Sequence, residues 1–404
     1  MMPAARRVAI TGLGVVTALG VGVGPVWAAV RRGDCGIGPI RNIPTDRLTV
    51  RNAAQIRDFD PAAHFDPRQL GKLDRVAQLA LVATREAMTG ANLDGIDPQV
   101  CGVVLGAALG QETIDAAYLT LYRDGVRRLA PMTVPRSMPS AATSHISMEF
   151  GIGGPCFAIA SACASASHAI GLAYQMVRGG MLEVAVTGGS DASIQVGFLK
   201  AWESLRVLSP DACRPFSRDR EGLVIGEGAG ILVLEEWERA RARHAVIHAE
   251  LIGFGMSADA GDLTAPDAPG AARAMAAALA DAGLAPDRVD YVNAHGTGTR
   301  LNDVTEIIAL SETFGARLRT LPVSSTKSML GHCLNAGGAL ELVVTCLALR
   351  DGVLPPTIGF REPDPQCDID CVPNQARPAA LEVAMSNSFA FGGLNAVLLA
   401  RRAA

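Results

Sequence analysis

Aromatic side chains are scarce in this 404-residue chain, since Phe, Trp and Tyr together make up 4% of it. The formal net charge is −4, so there is no general excess of positive charge to attract nucleic acid, and few rings are available to stack on bases. No stretch is apolar over enough residues to cross a membrane. The sequence therefore argues against nucleic-acid binding and against a membrane span.

Metal and cofactor signatures are also missing. The nine cysteines form no C-x-x-C pair, and carboxylates are not clustered in the way that metal ligands are. The glycines of residues 12–20 (GLGVVTALG) lack the spacing of a dinucleotide-binding fingerprint. We therefore predict no cofactor and no metal. An odd number of scattered thiols suits a reducing compartment, so we expect a cytoplasmic protein.

Glycine is abundant, with 43 residues, and the hydrophobic content is 49%, which is typical of a closely packed α/β protein. Residues 8–10 are interpreted as a first buried strand and residues 12–20 as a glycine loop. The motif AELIGFG (249–255) echoes VAITGLG (8–14), and the strand before SFAFGG echoes VAVTGGSD (184–191). The chain is therefore predicted to have two pseudo-symmetric halves, 1–245 and 246–404, in one layered α/β/α/β/α body.

Cys163 lies among small residues in IASACASASHAIG (159–171). A strand, a tight turn and a helix would place it at a helix N-terminus, where the helix dipole lowers the pKa of a thiol. On this stretch alone a buried structural cysteine is an equally good interpretation.

Two histidines lie in similar surroundings. His295 in NAHGTGT and His332 in STKSMLGH each follow a predicted strand and are set among Gly, Ser and Thr, as at the mouth of an open α/β sheet. Lys327 precedes His332 in a small, apolar stretch, where a lysine is costly unless it is paired. Glu306, on the helix that follows His295, is a plausible partner for it; an exposed helix face is the alternative.

The chain carries five motifs in a characteristic order: SACAS, RPFSRDREGLVIGEGAG, NAHGTGT, STKSMLGH and SNSFAFGGLN. Together they cover nearly the whole chain and resemble those of the β-ketoacyl–acyl carrier protein (ACP) synthases, ketosynthase II type, of the thiolase superfamily. The resemblance implies a thiolase-like five-layer fold and a decarboxylative condensation that yields 3-oxoacyl-ACP and carbon dioxide.

The resemblance also implies roles for individual residues. Cys163 would hold the acyl group as a thioester, and His295 and His332 would stabilise the enolate formed from malonyl-ACP. The backbone N–H groups of Cys163 and Phe391 would form the oxyanion hole, with Phe391 as a gating aromatic. Lys327 and Glu306 would order the histidines.

Further contacts follow from the same resemblance. Thr297 and Thr299 would hold the phosphopantetheine arm, Leu109 would lie at an acyl-pocket position, and Trp202 would line the tunnel region. The acidic carrier protein would meet a set of positive side chains, Arg68, Lys72, Arg127, Arg128 and Arg206. A homodimer is expected, because the family pairs its sheets across a two-fold axis.

Some positions depart from the family pattern. Leu394 replaces a hydroxyl beside the active-site loop, Asn335 stands where glycine is usual, and Trp202 replaces a smaller aromatic. These departures leave the acyl type open and suggest a specialised synthase, of a nodulation or secondary-metabolite type. Two alternatives remain: a partner subunit of a ketosynthase pair, non-catalytic or setting chain length, and a degradative thiolase. A thiolase would carry a second cysteine where SFAFGG stands.

Overall fold

The structure, a computed structural model, describes residues 5–403. Its strands are β1 (Val8–Thr17), β2 (Gly20–Val21), β3 (Gly38–Pro39), β4 (Asn52–Ala53), β5 (Cys101–Gly106), β6 (Cys156–Ile159), β7 (Val184–Asp191), β8 (Gly228–Glu236), β9 (Ala249–Ala258), β10 (Tyr291–Asn293), β11 (Val323–Ser324), β12 (Val353–Leu354), β13 (Arg377–Pro378), β14 (Val383–Ala390) and β15 (Leu394–Arg402).

The helices separate these strands along the chain. They are α1 (Val23–Arg32), α2 (Pro67–Leu70), α3 (Arg75–Ala91), α4 (Gln111–Tyr118), α5 (Thr133–Ser137), α6 (Ala141–Phe150), α7 (Ser165–Arg178), α8 (Val196–Ser204), α9 (Trp237–Ala242), α10 (Ala268–Ala282), α11 (Arg300–Phe314), α12 (Lys327–Leu330) and α13 (Gly337–Asp351).

The two halves of the chain build their parts of the main sheet in the same way. The strand order is β6-β5-β7-β8-β1 in the first part and β9-β15-β14-β10-β11 in the second. Strands β1 and β9 are neighbours at the junction of the two parts. They join where Val8–Ile10 of β1 pairs antiparallel with Ala249–Leu251 of β9. When the five strands that each half contributes to this path are numbered in chain order, both parts run 1-5-4-2-3 from this junction. The pseudo-symmetry predicted from the sequence is therefore confirmed.

Helices α7 and α13 form the middle layer between the two parts of the sheet. The central apolar core includes buried residues of both helices, whereas α3 belongs to a second core on the outside of the first half, and α10 and α11 to a third outside the second. Every residue of α13 from Gly337 to Leu349 is buried, because this helix has protein on all sides. The predicted five-layer α/β/α/β/α fold is confirmed.

The glycine loop predicted over residues 12–20 is wrong, since β1 runs unbroken to Thr17. A Cβ atom on Gly14 would lie 1.9 Å from the carbonyl oxygen of Ala83, and one on Gly12 would lie 2.2 Å from that of Ala87. These glycines therefore let α3 pack its backbone directly on the strand.

No helix within residues 5–403 has the length and apolar character needed to cross a membrane.

Candidate active site

Cys163 lies in a single 3-10 turn, Ala162–Ala164, which connects β6 to α7. The sequence-based prediction of strand, turn and helix around this residue is confirmed. Ala162 has φ = 47°, in the left-handed region that non-glycine residues rarely adopt. This backbone turn brings the buried Cys163 to the N-terminus of α7.

Burial raises the pKa of the Cys163 thiol to about 12, and the nearby Lys327 ammonium only partly offsets this rise. The expectation of a lowered thiol pKa is therefore wrong for this cavity. The reason is desolvation, which disfavours a thiolate more than the positive charge of Lys327 favours it.

His295 and His332 approach the same point from the second half of the chain. His295 follows β10 and His332 follows α12, and their ring centroids lie 5.4 Å apart with the planes at 84°. Both side chains are buried. Burial lowers the pKa of both imidazoles, and the positive charge of Lys327 lowers it further by a smaller amount. Both rings are therefore neutral at pH 7, and each keeps one N–H donor.

Glu306 orders the His295 turn through the backbone. Its carboxylate accepts hydrogen bonds from the backbone N–H groups of His295 (2.9 Å) and Gly296 (2.7 Å), and from Asn387 Nδ2 (3.2 Å). Glu306 is buried on the inner side of α11, so the alternative of an exposed helix face is wrong.

Lys327 is 2% exposed and forms an ion pair with Glu341 of α13, which is 3% exposed. Glu341 was not predicted from the sequence. The one signal available was a single acidic residue in the otherwise apolar run GGALELVV. Burial raises the pKa of Glu341 to about 7, and Lys327 opposes this rise.

Several buried oxygen atoms lack hydrogen-bond partners among the described residues, including Asn293 Oδ1, Thr326 Oγ1, Glu341 Oε2, Ser386 Oγ and Asn387 Oδ1. Asn293 and Ser386 are register partners on β10 and β14. Oxygen ligands of this type suit a hard cation or an ordered water molecule. No cluster of three or more His, Cys, Asp or Glu side chains suited to a metal occurs in the described part of the chain.

A cavity of about 110 Å³ opens above the cysteine. Both imidazoles line it, and so do five other predicted site residues: Cys163, Trp202, Thr297, Thr299 and Phe391. The hydroxyls of Thr297 and Thr299 lie 2.9 Å apart, and the Trp202 ring stacks on that of Phe391 at 5.8 Å. The structure thus brings together residues that are far apart in the sequence.

Leu109 is not part of this cavity. It is 50% exposed and lies between β5 and α4, so its predicted place in an acyl pocket is not found within this chain. Leu394 begins β15 next to Gly393, which does line the cavity.

The five positive residues predicted to meet a carrier protein are all exposed: Arg68, Lys72, Arg127, Arg128 and Arg206. Arg206 follows α8 and directly precedes Val207, which lines the cavity. Of the five, Arg206 therefore lies nearest in sequence to the cavity wall.

The chain matches two family models that lie side by side along it. The family model "Beta-ketoacyl synthase, N-terminal domain" matches residues 5–240, and "Beta-ketoacyl synthase, C-terminal domain" matches residues 248–361. Together these matches cover most of the chain.

Two curated relatives match over nearly their full length. Nodulation protein E of a Rhizobium species is 48% identical over 400 residues, covering 98% of this chain and 99% of the relative. The 3-oxoacyl-[acyl-carrier-protein] synthase 2 of Staphylococcus aureus is 41% identical over 407 residues, covering 98% of each. Among solved structures, the ishigamide ketosynthase/chain length factor is similar with a TM-score of 0.95 and 36% identity, over 99% of this chain and 100% of that one.

The substitution Lys327→Met tests the electrostatic role of the buried ammonium. Because Lys327 disfavours protonation of both imidazoles, its removal is expected to raise the pKa of His295 and of His332. Titration of ¹³C-labelled histidine followed by NMR measures both values. Lys200→Met removes an exposed lysine of α8 and is expected to leave them unchanged. Unchanged imidazole pKa values in a folded Lys327→Met protein would contradict this account.

Proposed function

This chain belongs to the β-ketoacyl synthase family and is an acyltransferase, a 3-oxoacyl-ACP synthase, and we propose that Cys163, His295 and His332 perform its two half-reactions. The main support for this proposal is that the three side chains line one cavity, where the thiol and both imidazoles are buried and uncharged. An acyl group enters as an ACP thioester, and malonyl-ACP supplies two carbons as carbon dioxide is lost.

In the acylation step, the Cys163 sulfur attacks the thioester carbonyl of acyl-ACP. The carbon–sulfur bond to Cys163 forms, the bond to the carrier thiol breaks, and the thiol proton is transferred to the departing carrier sulfur. No net charge remains in the cavity after this exchange, which suits a site whose desolvation disfavours a thiolate. We propose that the backbone N–H groups of Cys163 and Phe391 stabilise the oxyanion of this step.

In the condensation step, the neutral imidazoles of His295 and His332 donate hydrogen bonds to the malonyl thioester oxygen. Carbon dioxide leaves, and the electron pair of the broken bond forms the enolate. The enolate carbon then attacks the acyl carbonyl on Cys163, and the cysteine sulfur leaves and takes a proton from solvent, which neutralises the negative charge first carried by the malonyl carboxylate. Because their pKa values are lowered, both imidazoles can donate from the neutral form without first losing a proton.

The cavity distinguishes this function from the alternatives. Among the residues that line it, Cys163 is the sole thiol, and Phe391 lies in the segment where a degradative thiolase would carry its second cysteine. A non-catalytic partner subunit would not need a nucleophile together with two neutral imidazoles. These features favour a condensing enzyme.

Trp202 is proposed to limit the acyl group. Its ring stacks on Phe391 at the cavity wall, so this pair narrows the space beside Cys163. We also propose that the enzyme belongs to a specialised pathway, because its identity to nodulation protein E, 48%, exceeds its identity to the synthase 2, 41%.

The chain acts on carrier-bound substrates, and we propose where the carrier protein lies. Its acidic surface would meet the exposed cations Arg68, Lys72, Arg127, Arg128 and Arg206, and Thr297 and Thr299 would contact the phosphopantetheine arm at the cavity. Nine free thiols support a reducing, cytoplasmic setting. The proposed boundary between the halves, 245/246, lies between α9 and β9.

Acylation of Cys163 is the first expected outcome. Incubation with acyl-ACP is expected to add one acyl group to Cys163, detected by mass spectrometry of the intact protein and its peptides, and Cys163→Ala is expected to remain unmodified.

His295→Ala and His332→Ala should each slow malonyl-ACP decarboxylation by about 10²-fold or more while Cys163 still becomes acylated.

Two results would contradict this assignment. Absence of any adduct with several acyl lengths would favour the partner-subunit function. Loss of acylation in both histidine variants would mean that the histidines activate the thiol.

Replacement of Trp202 by Phe is expected to shift the product profile toward longer acyl groups, because a smaller ring opens the wall beside Phe391. Chromatography of the products made from acyl-ACPs of graded length measures this shift. Trp27→Phe makes the same change at a tryptophan that does not line the cavity and that donates a hydrogen bond to Asp351, and it should leave the profile unaltered. Equal profiles for Trp202→Phe and the unmodified enzyme would exclude Trp202 as a length determinant.

The edge of the first half of the sheet supports a homodimer. Strand β6 ends the sheet, and Phe157 on it is 37% exposed, an arrangement that favours pairing with a second copy. We expect light scattering of the purified chain to give the mass of a dimer; a monomer at micromolar concentration would contradict this.

A further inference from the structure

The second half of the chain contains a counterpart of the nucleophile turn. The 3-10 turn Leu334–Ala336 precedes α13, as Ala162–Ala164 precedes α7. Both turns begin with a non-glycine residue in the left-handed region, with φ = 42° at Leu334 and 47° at Ala162. Asn335 therefore occupies, in the second half, the position that Cys163 occupies in the first.

Asn335 connects the two halves through its side chain. Its Nδ2 donates to Asp191 Oδ2 over 2.7 Å, and its Oδ1 lies 3.1 Å from the Ser165 hydroxyl, which can donate to it. Asp191 ends β7 and Ser165 begins α7. The amide thus bridges a strand of the first half to the helix that follows the nucleophile.

Ser165 makes hydrogen bonds within the 3-10 turn that contains Cys163. Its single hydroxyl proton is shared between the carbonyl oxygen of Ala162 at 2.7 Å and Asn335 Oδ1 at 3.1 Å, and its oxygen accepts a hydrogen bond from the Ser161 N–H over 2.9 Å. A left-handed conformation at Ala162 costs free energy and persists only where surrounding contacts hold it. The hydroxyl of Ser165 supplies such contacts on both sides of Ala162.

Asp191 anchors the other end of this bridge. It is fully buried, and its carboxylate is bonded by the Ser193 N–H over 3.0 Å and by the side-chain and backbone N–H groups of Asn335. A buried carboxylate that accepts few hydrogen bonds is strongly destabilised when one of its donors is removed. The position of the Asn335 amide is therefore fixed from the strand side.

We propose that Asn335 is a positioning residue for Cys163, which orients the nucleophile by holding Ser165 against the Ala162–Ala164 turn. Asn335 does not line the cavity, so it acts through Ser165 and not by contact with substrate. This inference rests on the proposed function of Cys163 as the acylated residue. It gives the second half of the chain a part in orienting the nucleophile, in addition to supplying the histidines and Phe391.

The test compares Asn335→Ala, Ser165→Ala and the double variant in two half-reactions. We expect Asn335→Ala to slow acylation of Cys163 by acyl-ACP, and its alkylation by iodoacetamide, about five- to tenfold, the effect of one lost hydrogen bond. Decarboxylation of malonyl-ACP, measured after complete acylation, should change less than about twofold, because the histidines are untouched. Adding Asn335→Ala to Ser165→Ala should have little further effect, since both variants break the same contact.

The outcomes separate this inference from the proposed function. If the unmodified enzyme forms no acyl-Cys163, the proposed function itself fails. If it does, and Asn335→Ala is acylated and alkylated at the unmodified rate, the positioning role is overturned. It is also overturned if both half-reactions and the thermal midpoint fall together, or if the two single effects simply add. Should Asn335→Ala not fold, Asn335→Gly removes the same amide while leaving the other contacts of Ser165 in place, and is examined in the same assays.

Discussion

One buried positive charge influences every titratable group of the cavity. The Lys327 ammonium, paired with Glu341, disfavours protonation of His295 and His332 and opposes the rise in the pKa of Cys163. The ion pair lies at the start of the middle layer, where solvent does not screen it. The two imidazoles remain hydrogen-bond donors without charge, which is the state that stabilisation of an enolate requires.

This charge acts on all three groups because the halves of the chain share a middle layer. Helices α7 and α13 pack between the two parts of the sheet, and their N-terminal turns, at Cys163 and Asn335, lie against each other. The first half supplies Cys163, the proposed nucleophile, and the second supplies both imidazoles, the lysine and the Phe391 segment. Neither half contains a complete site, so the chemistry depends on the junction between them.

A glycine-rich segment can form a loop or allow close packing inside a strand, and the sequence pattern alone did not distinguish these two roles. Gly12 and Gly14 lie inside a strand, where they allow α3 to approach, although their spacing suggested a loop. The Cys163 thiol shows a similar limit, because its place at a helix N-terminus was predictable but its degree of burial was not. Desolvation depends on neighbours from distant parts of the chain, and it reversed the expected direction of the thiol pKa.

The sequence by itself determined the two-fold repeat, the five-layer fold and the family, because strand patterns and motifs around Cys163, His295 and His332 are local and keep their order. It left open where Leu109 lies, which carboxylate pairs with Lys327, and which groups Asn335 contacts. Those were decided by the tertiary structure. Glu341 is 14 residues from Lys327, and Asp191 is 144 residues from Asn335, so only the packing of helices and strands brings these partners together.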